Sequence, residues 1–556
     1  MRLNRAGSIP SVSLSLLQFN VLVALWIASV MNMSFYQAIA HLTSYQGVAA
    51  GVFLMATGLL VFVYYFFILQ LLSWRMTAKW LASILIIISA MGNYFVYELG
   101  VDINQGQILN MMQTDLHEIL DLVSWRAAEF TLFTIILPLL VIWRIRIKKD
   151  AVKTVVVYKL LASIGALVVI AALAFVYYGQ YAPIFREHRH LKEKLNPNNT
   201  ISGLIAYSKR NFKLKDQPLV AYGTDAVLTQ KTAQPRIMVL VVGETARGDS
   251  FSLNGYSKNT NPELQQLLNN HETILNFSNA SSCGTETAVS LPCMFSGMTR
   301  HDYDEELAKH REGLLDLAKR AGYEVTWIEN NSGCKKTCDR VGTFTLPPAL
   351  KEPLCKDDAC LDEVLLLSLK TYLSQLNAQP NPKNQLIVLH QMGSHGPAYY
   401  KRYPDQFKKF TPACDTNAIQ NCSHEALVNS YDNTIVYTDH ILASIIGQLQ
   451  AQTGYQTAMW YMSDHGESTG EHGLYLHGAP YMMAPNQQTH IPMILWFSPQ
   501  WQQQAPQLVP CLNQQLTLAR GHDNLFPSLL SMLGVRSTAI NPALDMQTLC
   551  HGKTTT

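Results

Sequence analysis

The sequence predicts two unlike halves. Residues 1–180 read as an α-helical membrane domain of five spans, and residues 236–556 as an α/β domain with a mostly parallel sheet sandwiched by helices. Residues 181–235 read as the connector. Three observations carry this. Apolar residues make up 48% of the chain and charged residues only 15%, a balance that leans toward a membrane protein. Five early stretches approach the ~20 apolar residues a spanning helix needs. Beyond residue 236, short runs rich in β-branched residues alternate with helical patterns. The 556 residues also exceed the ~100–200 of a single domain.

The apolar stretches lie at 13–33, 48–72, 80–97, 127–143 and 160–178. The first is long and precedes no small-residue cleavage site, so it reads as a retained span rather than a signal peptide. Arg2 and Arg5 precede it, Arg75 and Lys79 follow the second, and Arg144, Arg146, Lys148, Lys149, Lys153 and Lys159 lie between the fourth and fifth. Loops so charged stay in the cytoplasm, and an odd number of spans then puts everything after residue 178 outside. Between the third and fourth spans, Asn110, Thr114 and Glu118 would share one face of a helix. A solvated loop helix explains them plainly; a polar surface facing a substrate is the functional alternative. The connector pairs a strongly charged stretch, 186–194, with a mixed apolar, aromatic and basic one, 201–213, which suits a helix lying in the membrane interface. The net charge of +2 says little about partners; no basic stripe is present, so a nucleic-acid partner is not expected.

All ten cysteines fall between Cys283 and Cys550. An even count confined to the outer half reads as disulfides formed in an oxidising compartment. Ten cysteines allow about a thousand connectivities by count. Sequential pairing (Cys283–Cys293, Cys334–Cys338, Cys355–Cys360, Cys414–Cys422, Cys511–Cys550) is expected because short loops close at low entropic cost.

In the outer half, 237–242, 385–389, 457–462 and 492–497 read as buried strands, and 314–321 and 361–376 as helices. Parallel sheets bind ligands beyond the carboxyl ends of their strands, and chemistry-bearing residues stand there. Glu244 follows the first run. His390, Ser394 and His395 follow the second, and Ser463-Asp464-His465-Gly466-Glu467 follows the third. Ser282-Cys283-Gly284-Thr285-Glu286-Thr287-Ala288 sets the Thr285 hydroxyl where a loop turns into a helix. Singly, Glu244 could be a cap, Asp464-His465 a turn and Thr285 a helix-terminal residue. Together, Glu244, Thr285, Asp464 and His465 make a donor set that can bind Zn²⁺ tetrahedrally and activate an otherwise inert hydroxyl. His395 and His477, each close to a glycine, would flank the site.

The motifs Val242-Gly243-Glu244-Thr245-Ala246-Arg247, Ser282–Ala288, His390-Gln391-Met392-Gly393-Ser394-His395-Gly396-Pro397 and Ser463-Asp464-His465-Gly466-Glu467-Ser468 resemble a known family. It is that of the phosphoethanolamine–lipid A transferases of Gram-negative inner membranes, within the alkaline phosphatase and sulfatase superfamily. The resemblance spans nearly the whole chain. It implies an alkaline phosphatase-like catalytic domain in the periplasm. It implies Glu244, Thr285, Asp464 and His465 as zinc ligands, with Thr285 as the nucleophile that becomes phosphorylated. His395 and His477 match histidines that contact the transferred group or a second zinc. Asn110, Thr114, Glu118, Ser332 and Lys335 match positions of the phosphoethanolamine pocket. Phosphatidylethanolamine would be the donor and lipid A the acceptor, with polymyxin resistance as the consequence; a monomer is expected. The rivals are a phosphoglycerol transferase, which shares a threonine nucleophile and a five-span anchor, and a non-catalytic receptor with a degenerate hydrolase-like domain. A sulfatase is disfavoured because the sequence after Cys283 lacks a Cys-x-Pro-x-Arg context.

Overall fold

The computed structural model describes residues 12–103, 105–113, 123–214, 218–229, 234–356 and 359–551. They form two compact units: Met1–Ile108 with Ser124–Lys209, and Leu109–Val123 with Arg210–Thr556.

In the first unit, Gly47–Leu72, Ala78–Glu98, Trp125–Arg144 and Val152–Val176 are each long and apolar enough to cross a membrane. The first expected span is instead a bent pair, Leu16–Val30 and Met33–Leu42, meeting at 55°. Asn32 stands at the break. Its side-chain amide donates to Ile27 O and to Asn196 O, both at 2.9 Å, and Asn196 N donates back to Asn32 Oδ1 at 2.9 Å. A side chain that takes over backbone partners is what lets a helix break without stranding polar groups in a membrane. The connector contains helices Tyr178–Glu187 and Asn198–Leu214, and the first unit ends within the second of them, at Lys209.

The second unit is built on an eight-stranded sheet. Its strands are β1 (Arg236–Gly243), β2 (Ile274–Ser281), β3 (Glu324–Glu329), β4 (Gly342–Thr343), β5 (Gln385–His390), β6 (Gln456–Ser463), β7 (His490–Phe497) and β8 (Arg520–Gly521). Their order is β8-β2-β7-β6-β1-β5-β3-β4. Only β7 runs against its neighbours; the other pairings are parallel. Every residue of β1, β5 and β6 is buried. Since alternate side chains point to opposite faces, both faces of these central strands are covered. Helices including Leu314–Arg320, Glu363–Asn377 and His424–Gln450 fall between the strands in sequence. Consequently β1, β2, β3, β5 and β6 all end at the same edge, and the loops leaving it carry the candidate residues. Cys283–Cys293, Cys334–Cys338, Cys355–Cys360 and Cys414–Cys422 are disulfides. Cys511 is disulfide-bonded too; the side chain of its expected partner, Cys550, lies outside the described residues.

Candidate active site

Glu244 leaves the end of β1 directly. A Cβ at Gly243 would stand 2.6 Å from the Tyr461 hydroxyl, so only glycine lets the strand end lie this close to β6. Thr245 adopts a left-handed backbone, φ 52°, uncommon for a β-branched residue. The turn is held by Thr245 N donating to Asp464 Oδ1 at 3.2 Å and the Tyr431 hydroxyl donating to Thr245 O at 2.6 Å. From β6, Asp464 Oδ1 also accepts from His465 N at 2.7 Å. His465 Nδ1 donates to Gly466 O at 2.8 Å, which leaves the Nε2 lone pair directed inward. That Nε2 lies 3.4 Å from both Glu244 Oε1 and Asp464 Oδ2. All three side chains are fully buried, and their ligand atoms lie within 4.8 Å of one another.

Two carboxylates at one buried point demand positive charge. Asp464 Oδ2 is buried with no hydrogen-bond partner among the described residues, a costly state for an acid. Burial and the neighbouring Glu244 charge push Asp464 up to about 6. Burial opposes a charged His465, yet Asp464 and Glu244 outweigh it and raise the imidazole to about 10. The cluster thus favours positive charge at its centre. Two carboxylates and an inward imidazole nitrogen suit a divalent ion of the zinc type.

The hydroxyl at this cluster belongs to Thr287, not Thr285. Thr287 Oγ1 lies 3.0 and 3.2 Å from the two Glu244 oxygens and 3.3 Å from His465 Nε2. Thr285 Oγ1 instead donates to Ala479 O at 2.7 Å, and Thr285 O accepts from Gly478 N at 2.8 Å. The assignment of Thr285 as ligand and nucleophile is therefore corrected. The helix begins two residues later than expected, at Thr287 (Thr287–Ser296) with Glu286 as N-cap, so the inward-facing hydroxyl shifts by two. The available signal was the apolar run, which starts only at Ala288. No side chain caps this helix, so its first N–H groups and its positive dipole end are offered to an anion. The Cys283–Cys293 disulfide ties the incoming loop to the helix. His522 fastens the same loop to β6: its Nδ1 accepts from Cys283 N at 3.0 Å and its Nε2 donates to Ser463 O at 2.9 Å.

The flanking residues gather unevenly. The His477 ring centre stands 4.5 Å from that of His465 and 5.6 Å from that of His395. His477 Nδ1 donates to Glu467 Oε2 at 2.9 Å, and Glu467 Oε1 accepts from the Tyr399 hydroxyl at 2.7 Å. After β3, Asn331 Nδ2 donates to Glu244 Oε2 at 2.7 Å. Beside it, Lys335 Nζ donates to both the carbonyl and the hydroxyl of Ser332 at 3.1 Å. Asn331 and Glu467 were not singled out from sequence. The signal for Asn331 was its place next to Ser332; for Glu467, its place two residues past His465. Asn110 lies in helix Gln105–Gln113, while Thr114 and Glu118 lie outside the described residues.

Comparison with known proteins then places the chain. Residues 236–535 match the Sulfatase family, and residues 61–212 match the family described as phosphoethanolamine transferase EptA/EptB. A phosphoethanolamine transferase EptA of Salmonella typhimurium is 38% identical, with 96% of each chain covered. The chain belongs to the phosphoethanolamine transferase family. The phosphatidylethanolamine transferase Mcr-1 of Escherichia coli is 33% identical over 93% of this chain and 95% of its own. The integral membrane lipooligosaccharide phosphoethanolamine transferase A of Neisseria meningitidis superposes with a TM-score of 0.91 at 33% identity, covering 97% of this chain and 99% of that one. Membership in this family accounts for both units together.

Proposed function

We propose that this protein is a multi-pass inner-membrane enzyme that moves phosphoethanolamine from phosphatidylethanolamine to a lipid A phosphate through a covalent Thr287 intermediate. The observation that carries this is the Thr287 hydroxyl, 3.0 Å from Glu244 and 3.3 Å from His465 at an uncapped helix start. Full-length similarity to EptA and Mcr transferases supports the substrate pair.

Glu244, Asp464 and His465, with Thr287, would hold one Zn²⁺. When bound, the ion supplies Lewis acidity and lowers the pKa of the hydroxyl. In the first step Thr287 Oγ1 forms a bond to the donor phosphorus as the bond to diacylglycerol breaks. Glu244 Oε2 accepts a hydrogen bond from the Thr287 hydroxyl and orients it, and the Thr287 proton ends on the leaving alkoxide, which departs as diacylglycerol. The helix N-terminus meets the negative oxygens of the phosphoryl group. His395, His477, Ser332 and Lys335 surround the transferred group, with Glu467 fixing the His477 ring. In the second step a lipid A phosphate monoanion attacks the same phosphorus through its P–OH oxygen, the bond from phosphorus to Thr287 Oγ1 breaks, and the P–OH proton passes to Thr287 Oγ1. A covalent intermediate lets two large lipids use one centre in turn. Each transfer adds an amine and offsets anionic surface charge, which weakens capture of cationic peptides such as polymyxins.

The test is mass spectrometry of lipid A from cells carrying the wild-type chain or Thr287→Ala. Phosphoethanolamine-bearing lipid A with the first and none with the second is expected; equal modification would defeat the proposal.

A further inference from the structure

An apolar tip projects from the segment that follows His477. Met482 is 95% exposed and Met483 50% exposed. The tip is held firmly from behind. Met483 N and Ala484 N both donate to Pro480 O, at 2.8 and 2.9 Å. The Tyr481 hydroxyl donates to Ser282 O at 2.9 Å. Just upstream lie the two bonds that Thr285 makes to Gly478 and Ala479. The tip is thus fastened to the loop that delivers Thr287. A cation stands with it: the Arg300 guanidinium lies 3.2 Å from the centre of the Tyr481 ring. Arg300 N donates to Asp523 Oδ1 at 2.8 Å, and its half-buried side chain lies against the Tyr481 ring. Asp523 interacts electrostatically with this cation and tempers its charge.

We propose that the Met482–Met483 tip and Arg300 dock the acceptor lipid. The methionines take acyl chains of lipid A, and Arg300 takes an anionic group other than the reacting phosphate. This rests on the reading of Thr287 as the transfer residue. Methionine suits the task because its flexible, polarisable side chain packs against irregular apolar partners. Charge decides between the two lipids. The single phosphate of phosphatidylethanolamine is the reacting group and must lie at Thr287, so the donor has no second anion for Arg300. An acceptor with more than one phosphate does, and guanidinium is the side chain best matched to phosphate oxygens.

The experiment uses the full-length protein in mixed micelles and separates two readouts. Diacylglycerol release without acceptor reports loading of Thr287; phosphoethanolamine–lipid A formation against lipid A concentration reports acceptor use. The variants are Met482→Gln with Met483→Gln, Arg300→Gln, and the conservative Met482→Leu with Met483→Leu and Arg300→Lys. Loading at the wild-type rate with a KM for lipid A raised about tenfold or more in the Gln variants is expected, with recovery in the Leu pair. A wild-type KM for lipid A after normal loading overturns this proposal alone. Loading slowed as much as transfer also overturns it, because the tip would then serve the donor. A wild-type chain that never loads sinks the Thr287 reading and this proposal together.

Discussion

At the scale of single residues, the account turns on which of two neighbouring threonines faces Glu244. Thr287→Ala should cut transfer by about a thousandfold or more, as removal of a nucleophile does. Thr285→Ala removes only the bond to Ala479 and should act more mildly, by lowering the order of the His477 segment; steady-state transfer assays of the two variants decide. Asn331→Ala should cost about 10- to 100-fold in metal affinity or activity, the usual effect of losing a partner that orients a ligand, and titration with zinc of the purified variant reads it. Glu244, Asp464 and His465 were legible in the sequence because each follows a strand end directly, and the strand fixes where such a residue lies. Thr287 was not, because Thr285 and Thr287 differ only in their position relative to a helix start, and a shift of two residues moves a hydroxyl from one side of a turn to the other. Asn331 was missed because an asparagine in a loop has no distinguishing pattern until the fold brings Glu244 against it.

At the scale of elements, the central strands were readable because β1, β5 and β6 are continuous apolar runs buried on both faces. β2 was not: Asn276, Ser278 and Asn279 interrupt its apolar run, and its burial alternates. The bend at Asn32 was hidden too, since the hydropathy of 13–33 is that of one span and the break comes from contacts with Asn196, far away in sequence. The loop between β2 and the Thr287 helix has its own pH dependence. His522 is buried and joined to Cys283 and Ser463 as a neutral ring, and burial pushes its imidazole down to about 4. An unfolded chain takes up that proton near pH 6.5. Stability from this group is therefore complete above about pH 6.5 and drains as pH falls toward 4, by up to about 3 kcal/mol. Thermal unfolding between pH 7 and pH 5 should show the loss, and His522→Gln, which can both accept and donate, should flatten the slope. An equal slope in the variant would assign the acid sensitivity elsewhere.

At the scale of the whole molecule, a membrane unit and a periplasmic transfer unit lie on one chain, and the family relationship covers both. Composition and loop charge announced the membrane half, because spanning helices must be long and apolar. The outer half announced its compartment through cysteines, now seen as disulfides. A metal held by these residues would couple site to stability, since removing it would leave two buried carboxylates facing each other. Chelation of the full-length protein should abolish transfer and lower its unfolding temperature by several degrees, and zinc should restore both. Activity that survives chelation at an unchanged unfolding temperature would remove the metal from the account.

The most direct measurement is to incubate the full-length protein with phosphatidylethanolamine alone, digest it, and locate the phosphoethanolamine adduct by tandem mass spectrometry. The account predicts the adduct on Thr287 and its disappearance when lipid A is added. An adduct on Thr285, or none while diacylglycerol is still released, would contradict it.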